Sequence, residues 1–199
     1  MLLIKQTKNI IRNLRSFTIV SASTVVLLGC SGPSHMIVSP DIVSISSIKY
    51  QPTEVNFNVT DKRSNSHLLQ ILREDKAAEL LSTDVALDTI ITKALAPEFK
   101  NQGLIIIAGA TDKEIDVIID QALISVDQSS LSFKSENKLE IRFVVKNKDQ
   151  TLTKTFNSKG KSNGAFKADI AVLETDFTQQ LTELLTKALA DTEIQAVFK

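Results

Sequence analysis

The 199-residue chain has no tryptophan, one tyrosine, two histidines and a single cysteine. Each scarcity removes a class of function. With no tryptophan and Tyr50 as the one tyrosine, there is no aromatic platform for stacking bases or sugars. A lone cysteine, Cys30, rules out an internal disulfide. Two histidines, His35 and His67, without spaced cysteines or carboxylates, make no metal-ligand motif. No sign of charge dominates either, with 23 basic and 23 acidic residues. Residues 1–29 hold Lys5, Lys8, Arg12 and Arg15 and no acid, so the remainder carries about −4 and has no basic excess for nucleic acid. Residues 103–109 contain Gly103 and Gly109 but not the spacing of a phosphate-cradling loop.

What is present is concentrated at the start. The four basic residues precede an uncharged, mostly apolar run, residues 17–28, which ends in Leu27-Leu28-Gly29-Cys30. This is the layout of a secretory signal, and the run is shorter than the roughly 20 residues a spanning helix needs. Leu-x-Gly-Cys resembles a bacterial lipobox, in which the cysteine is acylated and cleavage falls just before it. The expected organisation is a cleaved signal over residues 1–29, a lipidated tether over 30–53, and one domain over 54–199. Two or three acyl chains, at ~0.8 kcal/mol per buried methylene, hold a protein on a membrane essentially permanently. Ser31, rather than an aspartate, follows the cysteine. That resembles an outer-membrane address, so the expected location is the periplasmic face of the outer membrane.

In the tether, Pro33, Pro40 and Pro52 break regular structure, while residues 36–38 and 42–48 are apolar enough to dock as extended chain. Val55, Phe57 and Val59 alternate with polar residues, as in a half-buried strand. Residues 67–73 and 76–81 read as a hairpin. A helix follows, capped by Ser82 or Thr83 and carrying Leu87, Ile90, Ile91, Ala94 and Leu95 at helical spacing. Pro97 should end or kink it, and Gly103 closes it. Residues 104–108, wholly apolar, read as a central strand.

Ile115, Val117 and Ile119 alternate with Glu114, Asp116 and Asp120, and the phase then slips to Ala122, Ile124 and Val126, so a bulge is expected near Gln121. Leu139, Ile141, Phe143 and Val145 take odd positions, with Lys138, Glu140 and Arg142 on even ones. Residues 152–158 read as a lysine-bearing edge strand, residues 160–164 as a flexible loop. A long helix starts after Asp169, and Asp191 or Thr192 starts a last turn. The expected fold class is α+β: a mainly antiparallel sheet with two amphipathic helices on one face, in a single domain.

The lipobox, Val59-Thr60-Asp61-Lys62-Arg63-Ser64, the helix of residues 82–103, and Leu152-Thr153-Lys154 through Ser162-Asn163-Gly164-Ala165-Phe166 together resemble the YajG-type family of small outer-membrane lipoproteins. The resemblance implies a compact α+β domain and no assigned reaction. Pro97 departs from that family's pattern.

Catalytic chemistry finds little support. The one thiol is claimed by lipid, and His67 is the one histidine outside the tether. No catalytic residue, cofactor or metal ligand is assigned. Glu114, Asp116 and Asp120 share a strand face that reads as solvated rather than as a cation site. Two groups remain as candidate partner contacts: Asp61 with Arg63, which reads first as a structural ion pair holding a turn, and the basic cluster of Lys154, Lys159 and Lys161, which reads first as a solvated loop. The expected function is therefore a non-enzymatic accessory or scaffold, held to the membrane by acyl chains and touching an envelope protein. The alternative is a module binding a small envelope ligand, a lipid or peptidoglycan fragment, between sheet and helices.

Overall fold

The structure, a computed structural model, describes residues 35–43 and 47–198. All belong to one compact unit, Pro33–Lys199. The described residues form seven strands: β1 (Thr53–Asp61), β2 (Leu69–Arg73), β3 (Glu79–Leu81), β4 (Leu104–Ile106), β5 (Lys113–Gln128), β6 (Ser132–Asn147) and β7 (Gln150–Ala165). Helix α1 (Leu87–Asn101) lies between β3 and β4, and α2 (Ile170–Leu189) and α3 (Thr192–Ala196) follow β7.

The three long strands behave as their alternation requires. In β5 and β6 the core-facing apolar positions, among them Ile115, Val117, Ile141 and Phe143, are fully buried. The register of β5 on β6 shifts between Ile119 and Gln121, which is where the apolar phase slips. From the helices, Ile91, Leu95 and Phe99 of α1 and Phe177, Leu181 and Leu185 of α2 complete the core. Asp169 and Asp191 cap α2 and α3 by accepting from backbone N–H groups one turn on.

The sheet is not mainly antiparallel with two helices on one face. It is mixed and curls into a half-barrel. Strand β1 pairs in parallel with β4 and β5, and β2 in parallel with β5. The antiparallel pairs are β2–β3, β5–β6 and β6–β7. Helix α1 packs on β1 and β4, and α2 on β7. Period-two patterning reports which face of a strand is buried, not the direction of its neighbour. The β1–β4 pair is parallel because β2, β3 and α1 form the crossover between them.

Other expectations change for local reasons. Strand β4 is short and sits at the end of the sheet, with β1 its one partner among the described residues, and Ile105 is exposed. Ser82 and Thr83 do not cap α1, whose N-cap is Ala86 with no side-chain bond. Their backbone is used by residues 35–38: Met36 N–H donates to the Ser82 carbonyl at 2.9 Å, and Met36 bridges Thr83. Pro97 neither ends nor breaks α1, which continues to Asn101. Gly103, at φ 112°, does close the segment, and a Cβ there would lie 2.6 Å from the Tyr50 carbonyl oxygen. Residues 160–164 are not a loop but the second half of β7. The segment before β1 is a strap: Met36, Val38 and Tyr50 are buried in the core.

Candidate functional site

Strand β5 makes an unusual use of its two edges. One holds β6 along its length. The other is shared, by β1 at residues 114–119 and by β2 at residues 124–128. The sheet therefore forks at the bulge. Arg63, just after β1, fills the gap. Its Nη1 donates to the carbonyls of Ala122 (3.1 Å) and His67 (3.4 Å), and its Nε and Nη2 hold Asp61 at 3.0 and 2.7 Å. The Arg63 side chain is 7% exposed. Burial alone would raise the Asp61 carboxyl, but hydrogen bonds from the Arg63 side chain and backbone, then its charge, outweigh burial and hold it below its ordinary value. This pair is spent inside the fold. Beside it lies a cleft of about 270 Å³, lined in part by Ser64, Asn65, His67, Gln121 and Lys138. The Nε2 atom of His67 is buried there without a hydrogen-bond partner.

The basic cluster does not exist as one patch. Side chains alternate across a strand, so Lys154 falls on one face of β7 and Lys159 and Lys161 on the other. Lys154, opposite Phe143, reaches α3, with Asp191 at 2.6 Å and Glu193 at 3.3 Å. The Asp191 hydrogen bond raises the Lys154 ammonium. Burial acts to raise the Asp191 carboxyl, but the Lys154 bond and two backbone N–H groups pull it lower. Lys161 pairs across the strands with Glu136 at 2.7 Å, at an exposed position. Lys159 faces Lys138, a like-charge pair. Asp61 aligns through Ile119 and Ile141 with Phe156, three strand spacings or about 14 Å from β7. The five candidate contacts therefore lie at separate places.

The carboxylates of β5 are paired as well. Glu114 and Asp116 share Lys146 at 2.7 and 3.7 Å, and Asp120 holds Arg142 at 2.8 Å. Among the described residues no group of histidine, cysteine and carboxylates is placed to hold a metal ion. Cys30 lies outside the described residues.

The feature that sequence reading undervalued is the length of the β7 edge. It spans 16 residues, pairs with β6 on one side and with no strand on the other among the described residues. Read as a loop, residues 160–164 concealed its second half.

Among the described residues no helix is long and apolar enough to cross a membrane. Over residues 40–199 the chain matches the model of a family described as uncharacterized lipoprotein, the YajG family, and it belongs to that family. No curated protein matches its sequence. Its fold is similar to the crystal structure of a Xanthomonas campestris protein of family DUF330, with a TM-score of 0.53 and 12% identity over 80% of this chain and 95% of that one. An uncharacterized protein of known structure is similar at a TM-score of 0.41 and 8% identity, covering 79% of this chain and 100% of the other.

Proposed function

We propose that this lipoprotein is held by acyl chains on Cys30 at the periplasmic face of the outer membrane and acts there by contact, without catalysis, as an accessory or scaffold of the envelope. The lipobox and Ser31 support the address. The open edge of β7 carries the rest. Edge strands are guarded in most proteins, often by lysine. Here two of the three lysines are neutralised, Lys154 by Asp191 and Lys161 by Glu136. The edge keeps its unpaired backbone groups with Lys159 as its main remaining guard. An extended segment of a partner protein can add to such an edge through main-chain hydrogen bonds.

The alternative is a small-ligand module. Phe143, Phe177 and Leu181 are buried in the core, and between β7 and α2 a cleft of about 150 Å³ remains, lined in part by Asn157, Gln180 and Glu183. The cleft at the fork, with its unpartnered His67 nitrogen, supports this second reading for a small polar ligand.

Two measurements test the proposal. The intact mass of protein extracted from membranes should equal a chain beginning at Cys30 plus acyl groups, and an unmodified chain contradicts the anchor. A photo-crosslinking residue at Asn157, on the open edge, should give one discrete adduct in cells, whereas Asp149, in the β6–β7 turn, should give none. Equal adducts at both positions, or none along β7, contradict the contact reading.

A further inference from the structure

We infer that the end of the domain built from the β5–β6 turn and the segment after β7 rests on the lipid bilayer, with Leu131 and Phe166 dipping into it. The inference rests on the lipid anchor at Cys30 proposed above.

Four exposed apolar side chains gather at this end: Leu131, Phe166, Val172 and Ile37, at 75, 68, 54 and 67% exposure. Three hydrogen bonds tie them together. Phe166 N–H donates to the Leu131 carbonyl at 2.9 Å. Ala168 N–H donates to Gln128 Oε1 at 3.3 Å, which fixes the start of α2 against the end of β5. Ile37 N–H donates to Glu174 Oε1 at 2.7 Å, one turn into α2. Phe166 holds φ 64°, a conformation a bulky residue rarely adopts, and this keeps its ring outside the fold. A chain that needed only to turn here would place glycine or asparagine at that position.

The leash says which surface covers this end. Only four residues lie between Cys30 and His35, five Cα–Cα steps, so fully extended chain places the anchor within about 18 Å of it. Helix α2 has 20 residues and is about 30 Å long. It starts beside Ile37 and runs toward the opposite end, where Asp191 and α3 lie. That opposite end carries the polar residues 147–150, Asn-Lys-Asp-Gln, and 109–112, Gly-Ala-Thr-Asp, together with two exposed apolar side chains, Ile48 and Ile105, at 80 and 47% exposure. The end nearest the anchor thus holds the larger exposed apolar set. Lys134 and Lys167, both exposed, flank Leu131 and Phe166, with exposed Asp127 opposite Lys134 and Asp169 two residues after Lys167, so the apolar pair rather than a net charge carries the contact.

The absence of tryptophan makes the test direct. Leu131→Trp, Phe166→Trp and Lys148→Trp each give a full-length lipoprotein with a single emitter. Each is reconstituted in vesicles of phosphatidylethanolamine and phosphatidylglycerol, with or without bromine on the acyl chains. Emission from positions 131 and 166 should move to shorter wavelength and lose most of its intensity to the brominated lipid, while position 148 keeps its aqueous emission. If the protein floats with the vesicles but 131 and 166 are not quenched, or 148 is quenched equally, this orientation is overturned. Protection from aqueous acrylamide without quenching by brominated lipid would show a protein covering this end and would also overturn it. Failure of the Cys30 protein to float would instead remove the anchor, and the inference with it.

Discussion

Arg63 donates to the carbonyl of Ala122, 3.1 Å away, in the gap where β5 exchanges β1 for β2 as its neighbour. The same guanidinium holds Asp61, so one buried side chain satisfies a backbone acceptor and a carboxylate together. Arg63→Met strands both. After a discount for the partial exposure of Asp61, the loss should be about 2–3 kcal/mol in urea unfolding. A loss within about 0.5 kcal/mol, the range of ordinary surface changes, contradicts the role given to this residue.

Acid should expose the same pair. Asp61 has a lower carboxyl pKa in the folded protein than its ordinary value. Its contribution is therefore complete above the unfolded pKa and is lost as pH falls through the lower folded one. The stability gap between the native protein and Asp61→Asn should be widest near neutrality and close progressively as pH falls through and below the ordinary carboxylate range. A gap that widens in acid reverses the sign and refutes the assignment.

The alternation of β6 gives a core test. Phe143 is fully buried and meets Phe156 edge-on at 5.5 Å between ring centres. Phe143→Ala should cost about 3–5 kcal/mol. Arg142, one residue earlier, points outward to Asp120. Its replacement by alanine should leave most of the stability in place. Equal losses at the two positions would mean that the register is wrong.

On β7 the three lysines should part company. Lys154→Glu places a carboxylate against Asp191 and Glu193 and should lower the melting temperature. Lys159→Glu replaces a like-charge pair with Lys138 by an opposite one and should leave the melting temperature unchanged or raise it. Identical shifts would restore the single basic cluster that the strand geometry divides.

These cases also show what the sequence makes legible. Burial followed from alternation, so the core positions of β5 and β6 and the bulge by Gln121 could be read directly. The starts of α2 near Asp169 and of α3 at Asp191 or Thr192 were legible, and the structure makes Asp169 and Asp191 their caps. Strand direction was not legible, since parallel and antiparallel partners leave the same period-two trace. Ser82 and Thr83 misled because the strap at Met36, far away in sequence, takes their backbone. Asp61 and Arg63 were visible as a pair, but their carbonyl partners belong to β5 and appear only once the sheet forks. The division of Lys154 from Lys159 and Lys161 was available from their even and odd positions. It was obscured because glycines and polar residues at 160–164 resemble a loop.

Amide hydrogen exchange along β7 tests the central claim most directly. The lipoprotein purified in detergent is compared with the same protein in its native envelope membranes. Contact through the open edge predicts that amides of β7 facing away from β6 exchange freely in the purified protein and become protected in the membranes, while the β6–β7 turn at residues 147–150 stays unchanged. Identical exchange along β7 in the two preparations would contradict it.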